Sequence, residues 1–125
     1  MAVVDSRITR GAPITLGAAD EFTHWMSPGD ASGLVTMHLN YGASWSGTLT
    51  FQAGMKQIDS EGAITILVTT IEATDLSSSA VAITTDTGTD KTIRIDCAGG
   101  LFGVRVYCSV WAVDEVVITP SGAMG

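Results

Sequence analysis

Hydrophobic and polar residues alternate most regularly between Ile93 and Thr119, and that stretch sets the expected architecture. In Lys91-Thr92-Ile93-Arg94-Ile95-Asp96-Cys97 the apolar side chains take every second position, the period that turns one face of a strand inward and the other to water. A glycine-rich corner, Gly99-Gly100-Leu101-Phe102-Gly103, leads into a second alternating run in which Val104, Val106, Cys108 and Val110 share a phase. Asp114 and Glu115 mark a shorter turn before a last strand, Val116-Val117-Ile118-Thr119. Pro120, which has no N–H to give a ladder, is expected to end it.

The same reading applies upstream. Val35, Met37 and Leu39 share a phase, residues 41–44 form a turn, and Trp45, Leu49 and Phe51 share a phase in the following run, so the two segments predict a hairpin. Residues 56–62 are polar and predict a loop. Ile64-Thr65-Ile66-Leu67-Val68-Thr69-Thr70-Ile71 is hydrophobic in both phases, as a strand covered on both sides would be, for instance at a subunit interface. Residues 74–79 predict a loop, 80–84 a strand and 85–90 a turn.

About eight short strands, with no amphipathic helix after residue 27, predict an all-β fold. The expected form is an antiparallel two-sheet sandwich, jelly-roll-like, over residues 28–125, with an extended N-terminal arm over 1–27. Gly11, Pro13 and Gly17 interrupt regular structure in that arm; Ile14-Thr15-Leu16 is a short strand candidate, and Asp20-Glu21-Phe22-Thr23-His24-Trp25-Met26 is either one helical turn or a strand.

Composition narrows the function. A chain of 125 residues builds a single core without needing disulfides or metals. Charged residues are 15% of the chain against 46% hydrophobic, too few to cover a small sphere, so part of the apolar surface is expected to meet a partner. Thirteen acids against six bases give a net charge of −7 with no basic cluster, which argues against nucleic acid as a partner. No apolar run is long enough to span a membrane, and the first residues lack a secretory pattern. Cys97 and Cys108 both fall on apolar phases and read as reduced core cysteines, with a cross-strand disulfide as the alternative.

Catalytic chemistry is not visible. His24 and His38 stand apart from any cysteine or carboxylate at ligand spacing, and no Gly-x-Ser-x-Gly is present. The neighbouring acids of Asp20-Glu21 and Asp114-Glu115 would point to opposite faces of a strand, which suits turns better than acid–base pairs. Asp86-Thr87-Gly88-Thr89-Asp90 lacks the terminal Glu of a calcium loop. The reading is of a protein without enzymatic activity, metal or cofactor. Trp25, Trp45 and Trp111, if aligned on the surface, would make a carbohydrate-binding platform.

Two segments carry a resemblance over roughly residues 34–119. Trp45-Ser46-Gly47-Thr48-Leu49-Thr50-Phe51-Gln52 resembles a Trp-x-Gly-Thr-hydrophobic-x-Phe-Gln strand recurrent in small tailed-bacteriophage virion proteins with a β-sandwich or jelly-roll domain. Ile93-Arg94-Ile95-Asp96, Ala98-Gly99 and Val104-Arg105-Val106 resemble the closing strands of the same group. After Gln52 that group often has a Gly, Asp and Trp-containing turn, where this chain has Ala53-Gly54-Met55-Lys56. The resemblance implies a virion component: a decoration (cement) protein on the outside of the mature capsid, or a neck, tail or fibre module. It implies the major capsid protein and copies of the chain itself as partners, a trimer being the expected assembly. The contact residues expected on this reading are Val3, Val4, Ile8, Ile14, Leu16, Phe22, Trp25 and Trp111.

Overall fold

A computed structural model describes residues 13–26, 34–96 and 103–121. The fold is all-β, as expected, and the described residues form eleven strands in two antiparallel sheets: β1 (Ile14–Leu16), β2 (Glu21–Phe22), β3 (Leu34–Tyr41), β4 (Ser46–Ile58), β5 (Ile64–Thr70), β6 (Ala73–Asp75), β7 (Val81–Ala82), β8 (Thr84–Thr85), β9 (Lys91–Asp96), β10 (Gly103–Val113) and β11 (Val116–Ser121). One sheet runs β1-β11-β3-β9-β6-β7 and the other β2-β10-β4-β5, with β8 beside β4. The inward phases of β3, β4, β9, β10 and β11 fill the space between them with Val35, Met37, Leu39, Leu49, Phe51, Ile93, Ile95, Val104, Val106, Val116 and Ile118. This is the burial that a period of two dictates.

Strand count exceeds the sequence expectation because the chain changes sheet more often than periodicity reveals. Residues 80–84 were expected as one strand. They divide at Ile83, with β7 on β6 in the first sheet and β8 on β4 in the second. Ala73–Asp75, expected within or beside a loop, is a strand against β9. The strand β11 continues through Pro120, opposite Met37, to Ser121. Val110 departs from the phase of Val106 and Cys108: a register shift between Cys108 and Val110 inserts Ser109 and turns Val110 outward, 56% exposed.

The described part of the expected arm is woven into the sandwich. Strand β1 pairs with β11, β2 pairs with β10, and Met26 bridges Val104. Leu16 and Met26 are buried. Along β10 the N–H groups of Asp20, Thr23 and Met26 donate to the carbonyls of Cys108, Val106 and Val104 at 2.8, 2.9 and 2.7 Å. The Thr23 hydroxyl accepts from the Val106 N–H at 3.0 Å, so this buried Thr replaces ladder bonds that a short strand cannot supply. Gly103 is required here, since a Cβ would lie 2.8 Å from the Met26 carbonyl oxygen. Residues 1–12, with Val3, Val4 and Ile8, lie outside the described residues, as do Cys97 and the glycine corner up to Phe102. Cys108 is a buried free thiol, its pKa raised by burial.

One corner joins the two sheets through Asp114. Its φ of 71° is left-handed, and its carboxylate accepts from the Ser44 N–H and the Glu115 N–H, each at 2.9 Å. The Trp111 indole N–H donates to the Asp114 carbonyl at 2.6 Å. A Cβ on Gly42 would collide with that carboxylate, which explains a glycine in the facing turn. Asp114→Ala removes both side-chain bonds and leaves a left-handed alanine, so it is expected to cost about 1–3 kcal/mol. Urea denaturation measures this, and an unchanged midpoint would refute it.

Candidate assembly surface

Beyond Ala53 the hairpin of β4 and β5 leaves the sandwich. Met55 and Leu67 lie on the phase of Phe51 and Ala53, which would be core, yet they are 37% and 43% exposed, beyond the reach of the described strands of the other sheet. The opposite face carries Ile58 (73% exposed), Ile64 (66%), Ile66 and Val68, with Lys56 across from Ile66. All seven residues of β5 are exposed. Residues 56–58, expected as loop, extend β4, and the reversal is made by Asp59. Its carboxylate accepts from the N–H groups of Glu61 and Ala63, both at 2.9 Å, while Gly62 adopts φ 84°. A firmly built turn thus supports an overhang with a bare aliphatic surface on both sides. The two-phase hydrophobicity of residues 64–71 was the sequence signal for it. Among the described residues both faces are left exposed.

An aromatic row runs from the root of this hairpin across the outer face of the second sheet. The Arg105 guanidinium lies 3.9 Å from the centre of the Phe22 ring and 4.4 Å from that of Trp25. Its Nε donates to Gln52 Oε1 at 2.9 Å. Phe22 stacks on Tyr107 with ring centres 4.5 Å apart, and the Tyr107 hydroxyl donates to Asp20 Oδ1 at 2.6 Å. That bond raises the Tyr107 pKa, and burial lowers that of Arg105. Gly54 closes the row: a Cβ there would lie 2.9 Å from both the Trp25 ring and the Ile66 side chain, so Trp25 and Ile66 meet over it. The cation between two rings fixes the aromatic faces in place.

Of the sequence-predicted contact residues, Phe22 and Trp25 come together in this row. Leu16 does not contribute, because it is a core residue. Ile14 is half-buried against the core. Trp111 lies opposite Gly47 on β4, whereas Trp25 covers Gly54, about 23 Å further along the same strand. Trp45 is buried against Tyr41. The three tryptophans therefore form no common platform. Ile64, Ile66, Leu67 and Val68 fall in the run expected to be covered on both sides, whereas nothing in the sequence singled out Met55 and Ile58 beside them.

Other chemistry is sparse. His38 Nδ1 lies 2.9 Å from the Thr92 hydroxyl. Among the described residues no three His, Cys, Asp or Glu side chains are grouped to hold a metal, and no helix is long and apolar enough to cross a membrane. A cleft of about 220 Å³ opens where β8 changes sheet, with Phe51, Ala73 and Ile93 among its apolar lining. The Lys91 ammonium beside it donates to the hydroxyls of Thr87 and Thr85 at 2.9 and 3.2 Å.

These features define an all-β, two-sheet sandwich with an overhanging apolar hairpin. No known protein family and no curated protein matches the chain. Among solved structures it is similar to the SPBc2 prophage-derived protein YomS, at 19% sequence identity and a TM-score of 0.49, over 88% of this chain and 96% of that one.

Proposed function

We propose that the chain is a non-enzymatic structural protein of a tailed-phage virion, a decoration protein that binds the outer surface of the mature capsid and stabilises it by bridging capsomers. The observation that carries this reading is the overhanging hairpin, whose aliphatic side chains face water on both sides in the isolated chain. Burying a wholly exposed aliphatic side chain is worth about 1.5–3 kcal/mol, and these gain in proportion to the 37–73% of each that is exposed, a favourable sum when several are covered together. The aromatic row continues the same surface, and the strand resemblance to phage virion proteins supplies the setting. A protein that binds only the expanded shell draws the equilibrium toward that shell by mass action, and attachment at several points multiplies the effect.

Particles assembled without the protein are expected to lose infectivity at a temperature several degrees lower than complete particles, and to recover on adding it back. Complete particles should carry hundreds of copies. Unchanged heat resistance would sink the reading, and a few dozen copies per particle would move the protein to the neck, tail or fibre.

A further inference from the structure

We propose that β5 pairs with the β5 strand of a second copy across a two-fold axis, joining the outer sheets of two molecules into one. The first ground is the backbone. The Ile71 N–H donates to the Phe51 carbonyl at 2.9 Å and the Asp59 N–H to the Ala63 carbonyl at 3.0 Å, so the odd-numbered residues of β5 bond toward β4. Antiparallel alternation then aims the N–H and C=O groups of Ile64, Ile66, Val68 and Thr70 away from β4, where no described strand lies beyond.

The second ground is that this edge is unguarded. Soluble proteins protect a long edge with a charge, a proline or a bulge, and Ile64–Thr70 has none of these, although the whole chain carries −7. The third is length. The other terminal strands of the two sheets, β1, β2 and β7, have three, two and two residues. Among the described strands, a seven-residue edge finds its match in a second β5.

The fourth is register. With Leu67 on the axis, Ile66 lies opposite Val68 of the partner subunit and Ile64 opposite Thr70 of the partner subunit. Every outward-bonding residue then meets another, giving about eight backbone hydrogen bonds between the copies. Ile64, Ile66 and Val68 of both copies share one face, and on the other Leu67 meets its own counterpart. Pairing also covers part of Ile64, Ile66, Leu67 and Val68, which are 66%, 39%, 43% and 39% exposed in the single chain. An isologous contact of this kind produces even-numbered assemblies, unlike the trimer that the sequence resemblance implies.

This pairing deepens the assembly reading above but rests on the free edge alone, so it is tested on the purified full chain without particles. Sedimentation is expected to give twice the chain mass of 13.0 kDa, or an even multiple. Val68→Pro deletes an N–H that points away from β4, and is expected to weaken self-association by about a hundredfold or more while β4–β5 pairing persists. Leu67→Cys, mildly oxidised, is expected to give a disulfide-linked dimer mapped to position 67. Residues facing each other at such a site have Cα atoms about 4.5 Å apart, within disulfide reach. Thr65→Cys should not link to itself but should link to Thr69→Cys in a mixture.

If Val68→Pro does not fold, the position-67 link still decides the question. A monomer at about 100 µM, an odd-numbered assembly with no link at position 67, or β5 amides that become protected only on the particle would each overturn the proposal. The last outcome would assign the edge to the shell protein.

Discussion

Phe51→Ala is expected to lower the unfolding free energy by about 3–5 kcal/mol, a large share of the 5–15 kcal/mol that holds a domain of this size together. Phe51 is the largest fully buried side chain, 1% exposed, and faces Val106 across the β4–β10 ladder. Its own backbone accepts from the Ile71 N–H and donates to the Ile83 carbonyl, so it stands where β5, β8 and β4 converge. Truncation leaves a cavity at the root of the overhanging hairpin. The β5 amides should therefore exchange with solvent faster, in step with the global loss. Calorimetry and hydrogen exchange measure both, and a stability loss below about 1 kcal/mol would contradict this placement of the core.

Alkaline pH is expected to remove about 3 kcal/mol of stability through Tyr41. Tyr41 is 8% exposed, and its hydroxyl finds no hydrogen-bond partner among the described residues. Burial pushes its pKa from 10.0 up to about 12; Asp86 and Asp90 add to the rise, and the nearby Thr85 hydroxyl opposes it. The folded pKa lies above the unfolded one. The contribution is therefore complete below pH 10 and is lost as pH climbs from 10 through about 12. Tyr41→Phe should flatten this limb and raise stability at neutral pH by about 1 kcal/mol, because an unsatisfied buried hydroxyl is deleted. The variant also separates Tyr41 from Tyr107, whose bond to Asp20 raises its pKa too. Urea midpoints for both chains across pH 8–12 give the comparison, and parallel losses would refute the assignment.

What could be read in advance followed from periodicity. Ile93 and Ile95, Val104 and Val106, and Val35, Met37 and Leu39 all face inward as their spacing requires. Periodicity could not reveal where the chain steps from one sheet to the other. Glu21–Phe22 and Val81–Ala82 are too short to show a period, and each is placed by two pairs of facing residues, on β10 and β6 respectively. The bulge at Ser109 reverses the phase of Val110 without any glycine or proline to announce it. The contact surface was half visible. Residues 64–71 are apolar in both phases, which pointed to cover on both sides, but Lys56 and Gln57 read as loop residues, so the overhang of β4 was hidden. The Arg105 clamp was not legible, since Arg105 is far in sequence from Phe22 and Trp25 and meets them only through tertiary pairing with β10.

The weaving of residues 14–22 onto β11 and β10 puts β1 and β2 on one flank of the sandwich, while β5 closes the opposite flank. A cargo domain fused ahead of Pro13 would therefore enter the fold on the side remote from the strand proposed to bind a second molecule. Additions that enter at Pro13 would leave β5 free, whereas insertions at the Asp59 turn would sit at its end.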